Sequence, residues 1–566
     1  MQERIQEWLT HTDNATRQAI SEMQQNAPQE LQEAFFQNLE FGTGGLRGIM
    51  GIGTNRMNKY TVGLATQGLA NYLKKTFSEP IKVAISYDSR NHSREFAQIT
   101  ADIFSANGVQ VFMFQNLRPT PLLSFAIRKL GCQSGVMLTA SHNPKEYNGY
   151  KAYWNDGSQL VKPHDEGVIA EVKKVKIQDI RFEPQNHLIS YLDENFDEFY
   201  LQEIEKLSLN AKLNQKYANL GIIYTSLHGT GITLVPKVLE RFGFKNVQIV
   251  QEQAEPNGNF PTVIYPNPEE AEALTLALQK AQALGADLVL ANDPDADRVG
   301  IAVKDLQGKF VLLNGNQTGV LLMYYLLTMW QKKGKLKGNE YIVKTIVTTE
   351  LIDAIAEKFG VQCYNTYTGF KYIASVMREN EGKSTYIAGC EESYGYLVGD
   401  FVRDKDGISA CAIIAEMTAY AQEHFGGLYA MLLHIYKEFG WYEDALVSLT
   451  KKGIAGMEEI KAIMSNFREN PPQSLAGSPV VKIKDYLSLT EKDVRSNAQK
   501  SLNFDEKSNV LQFFTADGTK ISVRPSGTEP KIKFYFNLKT DFQENIQDIQ
   551  QTLQAKIKAI RQDLGI

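Results

Sequence analysis

Three times along this chain, an apolar, strand-like segment ends in a loop of reactive side chains. The three segments are SGVMLTASHNP at residues 134–144, ADLVLANDPDADR at 286–298 and STYIAGCEESYGY at 384–396. A repeat of this size restricts the fold, because each copy must bury a similar strand. We therefore expect three related domains, each with its polar loop at the same place.

Each of these segments follows an earlier strand-like segment, with helix-like stretches between the two. The earlier segments are IKVAISYDS at 81–89, GIIYTSLHG at 221–229 and YIVKTIVTT at 341–349. Alternating strands and helices predict α/β domains with mixed or parallel sheets covered by helices. Ligands bind beyond the carboxyl ends of such strands. We therefore expect all three loops to face one central cleft.

The C-terminal part predicts a different, smaller α+β domain of antiparallel strands and helices. Residues 516–520, ADGTK, are typical of a hairpin turn, and residues 466–479 are predicted to form a linker or loop. A length of 566 residues requires several domains. The predicted division is N-terminal helices at 1–40, α/β domains at 41–205, 206–316 and 317–450, and the α+β domain at 451–566.

Charge and composition exclude several classes of protein. A net charge of −5 argues against nucleic acid as a partner, because phosphate backbones attract clustered Lys and Arg. Four scattered cysteines are not a disulfide framework, and the first residues contain no apolar signal core. The longest apolar run, Gly319–Trp330, is shorter than the roughly 20 residues of a membrane span. We expect a cytoplasmic protein with no membrane segment.

The loop NDPDADR predicts a metal site. Asp293, Asp295 and Asp297 would repel one another unless a cation lies between them, and carboxylate oxygens favour Mg²⁺ or Ca²⁺. An EF-hand needs glycine at its sixth position and glutamate at its twelfth, where this chain has Arg298 and Lys304. Mg²⁺ that shares its shell with a phosphate oxygen fits better than either an EF-hand or a solvated acidic turn.

Two further loops each allow two interpretations. RPSGTEPK suits a phosphate dianion, held by Arg524, the hydroxyls of Ser526 and Thr528 and the backbone at Gly527; an ordinary Pro/Gly turn is as good a reading. GCEESYGY offers Glu391, Glu392 and Ser393 to sugar hydroxyls, although a helix cap with acidic first-turn residues is the better explanation of this motif in isolation.

Scattered cations and polar residues complete the candidate set. Arg47 lies in the glycine-rich stretch TGGLRG and is predicted to sit in a glycine loop, where it could reach a phosphate. The remaining candidates come from TGFK and VRDKDG, in which charged side chains are most often solvated: Thr368, Gly369, Lys371, Arg403 and Lys405.

Ser141 and His142 stand side by side after the first repeat strand. A hydrolase elbow needs glycines two residues before and after the serine, where this chain has Thr139 and Asn143. A serine close to a metal loop and a phosphate loop is instead suited to carrying phosphate, since phosphoryl transfer needs mainly positioning and charge neutralisation.

Taken together, TASHNP, DPDADR, CEESYGY and RPSGTEP resemble the four motifs of the α-D-phosphohexomutase family, in the family's order. The resemblance runs from about Phe41 to the C-terminal region and is strongest to the phosphoglucomutase/phosphopentomutase branch. It implies four domains around a central cleft. The loop after Glu391 lacks the histidine of the phosphomannomutase-type branch, which disfavours that substrate.

The resemblance also implies residue roles. Ser141 would be a phosphoserine that completes the Mg²⁺ shell of the three aspartates, and glucose 1,6-bisphosphate would be the intermediate. Arg47 and Arg298 would steady the transferring group. Lys151, with His142 beside it, would be the general acid/base, for which its pKa should be lowered by burial and nearby cations. Glu391 and Ser393 would bind sugar hydroxyls, and Arg524–Thr528 the non-reacting phosphate.

Several functions share this chemistry. We expect small-molecule sugar phosphates as substrates and interconversion of glucose 1-phosphate and glucose 6-phosphate as the reaction. The alternatives are a phosphopentomutase, a phosphomannomutase, a sugar bisphosphate synthase, a metal-dependent phosphatase and a non-catalytic sugar-phosphate sensor. Ser393 favours a hexose, because it offers a hydroxyl partner. The sequence does not choose between a monomer and a dimer.

Overall fold

The chain forms two compact units in its computed structural model. The described residues are 1–41, 45–451, 453–526 and 531–566. The first unit contains residues 1–345 and 359–430, and the second contains residues 346–358 and 431–566. Within this described part, no helix has both the length and the apolar character needed to cross a membrane.

Eighteen α-helices occur in the described residues. They are α1 Gln2–His11, α2 Asn14–Asn26, α3 Pro28–Phe35, α4 Lys59–Thr76, α5 Ser93–Ala106, α6 Thr120–Leu130, α7 His164–Val172, α8 Asn195–Glu205, α9 Ala211–Lys216, α10 Val235–Arg241, α11 Thr275–Leu284, α12 Gly315–Lys332, α13 Leu351–Phe359, α14 Phe370–Glu379, α15 Gly407–Phe425, α16 Leu428–Phe439, α17 Gly453–Glu469 and α18 Ile546–Leu564.

The described strands form four main sheets. The first contains β1 Gly45–Ile49, β2 Lys82–Tyr87, β3 Gln110–Phe114, β4 Ser134–Leu138, β5 Tyr147–Trp154 and β6 Ile189–Leu192. The second contains β7 Ile222–Thr225, β8 Val247–Ile249, β9 Leu288–Asn292, β10 Val299–Lys304 and β11 Phe310–Leu313. The third contains β12 Glu340–Thr345, β13 Gln362–Thr366, β14 Thr385–Glu391 and β15 Gly395–Val398.

The fourth sheet belongs to the second unit. Its strands are β16 Trp441–Thr450, β17 Ser474–Leu475, β18 Ser478–Asp485, β19 Thr490–Asp493, β20 Gln499–Ser501, β21 Leu511–Thr515, β22 Lys520–Pro525 and β23 Lys531–Thr540, with β17 pairing only with β18. All of these pairs are antiparallel. The predicted C-terminal α+β domain is confirmed, including its hairpin between β21 and β22.

The three sheets of the first unit repeat one arrangement. The strand that leads to the polar loop (β4, β9 or β14) pairs in parallel with the first strand of its sheet (β2, β7 or β12). The strand that returns from the loop (β5, β10 or β15) pairs antiparallel on its other side. The sheets are therefore mixed, and the prediction of three related α/β domains is confirmed.

Burial explains why the loop-bearing strands are central. Every residue of β4 and β9 is buried, as expected for continuous apolar runs covered on both faces. The apolar run at residues 319–330 lies inside α12, a largely buried helix. Asp13 caps the N-terminus of α2, since its side chain accepts a hydrogen bond from the Thr16 amide.

One local prediction is wrong. Residues 466–479 do not form a continuous linker, because α17 extends to Glu469 and residues 474–475 pair with β18. The side chain of Phe467 is buried, and its ring lies against those of Phe513 and Phe534. This packing stabilises the last turn of α17, although the prolines that follow the helix suggest a loop.

The fully buried carboxylate of Glu416 in α15 ties three segments of the first unit together. It accepts hydrogen bonds from the amide of Leu209 at 2.8 Å, the side-chain amide of Asn214 at 2.9 Å and the hydroxyl of Tyr325 at 2.8 Å. The hydroxyl of Ser208 donates a further bond. One acidic side chain therefore joins the segment before β7 to α12 and α15.

We expect Glu416→Gln to lower the free energy of unfolding by about 2–4 kcal/mol, because its NH₂ group would face buried donors that now share a carboxylate. Chemical denaturation measures the change. The control is Glu423→Gln on the same helix, where an exposed ion pair with Lys216 should contribute little. Equal stabilities for the two variants would contradict the assigned role of Glu416.

Candidate active site

The polar loop after β9 holds an acidic cluster. Asp293, Asp295 and Asp297 are buried, and each offers an oxygen that lies within 4.8 Å of those of the other two. Thr120, at the start of α6, fixes the middle residue: its amide donates to the Asp295 carbonyl at 2.9 Å and its hydroxyl to Asp295 Oδ2 at 2.8 Å. The loop is thus held from the first domain as well as by its own strand.

The electrostatics of this cluster fit a cation. Burial and the charges of Asp295 and Asp297 raise the pKa of Asp293 well above its ordinary value, because three adjacent carboxylates resist ionising together. Among the described residues, Asp295 Oδ1 and Asp297 Oδ1 have no hydrogen-bond partner although both are buried. Unshared carboxylate oxygens are ligands for a hard divalent cation such as Mg²⁺.

Ser141 meets this cluster from the first sheet. Its hydroxyl donates to Asp293 Oδ2 at 2.6 Å, and its amide donates to the hydroxyl of Thr139 at 2.8 Å. Its φ of 51° lies in the left-handed region, which a non-glycine residue adopts only where its surroundings impose it. The structure therefore brings the predicted serine and the predicted metal loop into direct contact.

His142 lies beside the serine hydroxyl. Its Nδ1 is 3.2 Å from Ser141 Oγ. Burial, together with the positive charges of Arg298 and Arg47, lowers the pKa of His142 well below its usual value. The imidazole is therefore neutral at neutral pH.

Two lysines neutralise the acidic cluster from different strands and loops. Lys151 Nζ, on β5, lies 2.6 Å from Asp295 Oδ2 and 3.2 Å from Asp297 Oδ2. Lys405 Nζ lies 3.2 Å from Asp297 Oδ2. These contacts connect the second sheet to segments that precede and follow it in the chain.

The expectation of a lowered pKa at Lys151 is wrong in this arrangement. Burial does lower it, but the carboxylates of Asp295 and Asp297 outweigh burial and hold the pKa above its ordinary value. Conversely, the positive charges of Lys405 and Lys151 overcome the effect of burial and lower the pKa of Asp297. Lys151 therefore carries its proton at neutral pH.

The two predicted arginines occupy different positions. Arg298 Nη1 donates to Glu269 at 2.7 Å, and its amide donates to Asp293 at 3.1 Å, so it borders the acidic cluster. Arg47 lies in β1, not in a glycine loop as predicted, because its segment pairs with β5. Its Nη1 donates to the side chain of Asn143 at 3.2 Å, next to the serine loop.

The third polar loop also borders the acidic loop at residues 293–298. The amide of Val299 donates to the Tyr394 carbonyl at 3.0 Å, and Arg298 forms a bridge with Gly395. Glu391 is buried and accepts from the Gly369 amide at 2.7 Å. The helix-cap interpretation of this loop is wrong, because β15 follows it and not a helix. Ser393 lies in the turn between the two strands.

The remaining candidate residues of the first unit differ in burial and in their contacts. Thr368 and Lys371 flank Gly369 and are half-buried. Arg403 is almost fully buried, and its guanidinium contacts the carbonyl of Asp400 and the carboxylate of Glu381. These two contacts are with its own loop and with the segment between α14 and β14, and neither partner belongs to the acidic cluster.

The predicted phosphate loop belongs to the second unit. Arg524 lies near the end of β22 and is half-buried, and the Ser526 amide donates to the Lys531 carbonyl at 2.7 Å. Gly527 and Thr528 lie outside the described residues. The strands on both sides, β22 and β23, pair as an antiparallel hairpin.

Sequence reasoning missed Asp404, the neighbour of Lys405. Its buried carboxylate accepts from the Tyr153 hydroxyl at 2.7 Å and from the Gln159 side chain at 3.0 Å, and Lys405 Nζ lies 3.2 Å away. Asp404 thus fixes a cation of the site to the first domain. The alternation of acids and cations in VRDKDG is the sequence signal that points to Asp404.

A fold of three α/β domains and one α+β domain, with a serine in contact with a buried acidic cluster, defines a class of phosphate-transferring enzymes. Four models of the phosphoglucomutase/phosphomannomutase family match this chain: α/β/α domain I at residues 38–179, domain II at 198–308, domain III at 314–436 and the C-terminal domain at 455–553. The chain belongs to this family, which confirms the resemblance seen in the sequence.

Named relatives align along nearly the whole chain. It is 36% identical over 552 residues to a protein named Phosphoglucomutase from Staphylococcus haemolyticus (strain JCSC1435), covering 96% of this chain and 98% of that protein. The identity to a protein of the same name from Staphylococcus aureus (strain USA300) is also 36%, over 554 residues, 97% of this chain and 98% of that one.

Solved structures show the same fold. The open form of pp63/parafusin from Paramecium has a TM-score of 0.70 at 19% identity, over 94% of this chain and 96% of that one. A phosphoglucomutase/phosphomannomutase family protein from Burkholderia thailandensis has a TM-score of 0.64 at 19% identity, over 92% and 97%.

A substitution of Asp404 tests whether this carboxylate compensates the buried charge of Lys405. We expect Asp404→Asn to lower the free energy of unfolding by about 2 kcal/mol, because Lys405 would lose one of its two buried carboxylate partners. Denaturant titration measures this. Asp400→Asn, an exposed carboxylate of the same loop, is the control and should leave stability unchanged. A similarly small change in the free energy of unfolding of both variants would contradict this role of Asp404.

Proposed function

We propose that this protein is an isomerase that interconverts α-D-glucose 1-phosphate and glucose 6-phosphate. The observation that carries the proposal is the hydrogen bond of 2.6 Å between the Ser141 hydroxyl and Asp293, which joins a nucleophile to a cation-binding cluster. Relatives named Phosphoglucomutase at 36% identity support the choice of glucose phosphates.

The proposed reaction passes phosphate through Ser141. In the first half, a sugar hydroxyl attacks the phosphorus of phosphoserine 141; the new O–P bond forms as the bond to Ser141 Oγ breaks, which gives glucose 1,6-bisphosphate. In the second half, Ser141 Oγ attacks the other phosphate of the bisphosphate. The enzyme recovers its phosphoserine and the isomeric monophosphate leaves.

Each half-reaction also moves one proton from the attacking hydroxyl to the oxygen that leaves. Lys151 holds its proton in the described arrangement and is suited to donating it, and we propose it as the general acid/base. His142 Nδ1 lies 3.2 Å from Ser141 Oγ, within reach of the proton of that hydroxyl. Arg47 and Arg298 would stabilise the negative charge of the transferring group.

We propose that Asp293, Asp295 and Asp297 hold Mg²⁺ together with an oxygen of the phosphorylated Ser141. The buried, unshared oxygens of Asp295 and Asp297 fit this group. When bound, Mg²⁺ would neutralise charge on the phosphate. Thr120 orients Asp295 and the serine hydroxyl faces Asp293, so these contacts would set the positions of the proposed ligands.

Substrate binding is proposed for two further groups of residues. Around the third sheet, the sugar and its phosphate would contact Glu391 and the half-buried residues near it; this group is Thr368, Gly369, Lys371, Glu391, Ser393, Arg403 and Lys405. In the second unit, the phosphate that is not transferred would be held by Arg524, Ser526, Gly527 and Thr528. The guanidinium of Arg403 contacts Asp400 of its own loop and Glu381 in the segment before β14.

We also propose the domain boundaries, the cellular location and the activator. The division at residues 40, 205, 316 and 450 is supported by the four sheets and by helices before β1. A cytoplasmic location is supported by four cysteines that are free thiols. Glucose 1,6-bisphosphate is proposed as the activator that phosphorylates Ser141.

Phosphorus NMR tests the function. We expect the protein to convert glucose 1-phosphate to glucose 6-phosphate when Mg²⁺ and a trace of glucose 1,6-bisphosphate are present. Ser141→Ala should lower the rate by at least about 1,000-fold, because the phosphate carrier is lost. Ser105→Ala, which removes a hydroxyl bonded to the Asp102 carbonyl in α5, is the control and should retain full activity.

A parallel sample with ribose 1-phosphate separates the alternatives. Conversion of the pentose ester alone would replace the glucose assignment by a phosphopentomutase while leaving the role of Ser141 intact. Release of inorganic phosphate would indicate a phosphatase. Absence of any conversion would overturn the proposed function in favour of a sensor.

A further inference from the structure

The serine loop closes around one buried arginine. Arg90 follows β2 and is 3% exposed, and its guanidinium donates to four backbone carbonyls of residues 141–147. Nη1 donates to Pro144 at 2.8 Å and to Tyr147 at 3.1 Å. Nη2 donates to Ser141 at 2.5 Å and to Asn143. The loop backbone therefore wraps around a single side chain.

The guanidinium is itself fixed on two sides. Asp88 Oδ2 lies 3.4 Å from Arg90 Nε, and Asp88 Oδ1 accepts from the Arg90 amide at 3.0 Å. The ring of Phe260, which comes from the second domain, covers the guanidinium at 5.0 Å. Arg90 is thus held by an ion pair in its own domain and by an aromatic ring from the next.

Asp88 reaches the serine by a second route. Its Oδ2 accepts from the Thr139 hydroxyl at 2.6 Å, and that hydroxyl in turn accepts from the Ser141 amide at 2.8 Å. Arg90 therefore binds the carbonyl of Ser141 while Asp88, through Thr139, binds its amide. Both ends of the Ser141 peptide unit are fixed by one buried pair.

This arrangement accounts for the unusual backbone of Ser141. A left-handed non-glycine residue is strained and persists only when its surroundings over-determine it. The planar fork of arginine can serve several carbonyls at once, whereas the ammonium of lysine is a compact group with three donors. The contacts of Arg90 supply the restraint that holds Ser141 Oγ towards Asp293.

We infer that Arg90, supported by Asp88 and Phe260, is a positioning residue for phosphate transfer at Ser141. Arg90 does not contact the reacting atoms in this scheme; it acts through the backbone of residues 141–147. This inference rests on the proposed role of Ser141. It implies that Arg90 affects kcat more than KM.

Arg90→Lys tests this inference, because it keeps the charge and removes the fork. Two measurements are needed: hydrogen exchange of the amides of residues 141–147, and kcat and KM with glucose 1-phosphate. We expect exchange in this loop to rise by at least about tenfold and kcat to fall about 10- to 100-fold, while KM changes less than about twofold. Arg90→Ala should lower kcat further.

Arg128→Lys is the matched control. Arg128 also bonds a backbone carbonyl, that of Asp156, and lies in the first domain, but it does not touch the serine loop. The control should show native exchange in residues 141–147 and native kcat. Phe260→Leu, which removes the ring but leaves an apolar cover, should give an intermediate rise in loop exchange.

The outcomes separate this inference from the proposed function. Unchanged loop exchange with unchanged kcat in Arg90→Lys would overturn the positioning role, and so would faster exchange throughout the first domain or an equal loss in Arg128→Lys. If the native protein converts no sugar phosphate while Arg90→Lys still loosens only residues 141–147, the positioning of Ser141 stands and the proposed function fails.

Discussion

The site depends on negative charge that is buried at the end of a single strand. Asp293, Asp295 and Asp297 cannot all ionise without compensation, and the chain supplies cations from separate segments: Lys151 from β5 and Lys405 from the segment before α15. Removing the acids would take away both ion-pair partners of Lys151 and one of the two partners of Lys405, which would keep only Asp404. The charge balance therefore holds the domains of the first unit together around the acidic cluster.

The repeated sheet arrangement turns this balance into a precise geometry. In each sheet the polar loop joins a buried parallel strand to an antiparallel return strand, so each loop has two fixed ends. Glycines allow the loops to approach one another closely. A Cβ at Gly407 would lie 2.5 Å from the Ala296 carbonyl, and one at Gly229 would lie 2.4 Å from Pro294. Side chains at these two positions would force the metal loop away from its neighbours.

The sequence predicted the parts that depend on local pattern. The three strand-and-loop repeats, the C-terminal antiparallel domain and the contact between Ser141 and the aspartates followed from apolar runs and from motif chemistry. The errors arose where pairing across the chain decides the outcome. Arg47 became part of a strand because β5 pairs with it, and the pKa of Lys151 rose because carboxylates from another sheet face it. Arg90 was missed because a lone arginine after a strand usually lies in solvent, whereas here four carbonyls surround it.

The most direct test of the proposed metal site is a crystal structure of the phosphorylated protein soaked in Mn²⁺, with anomalous diffraction to locate the ion. We expect one Mn²⁺ peak, coordinated by an oxygen from each of Asp293, Asp295 and Asp297 and by a phosphate oxygen on Ser141. Mn²⁺ serves as the probe because it accepts the same oxygen ligands as Mg²⁺. A phosphorylated Ser141 with no ion at the three aspartates, whose carboxylates remained paired only with Lys151 and Lys405, would contradict it.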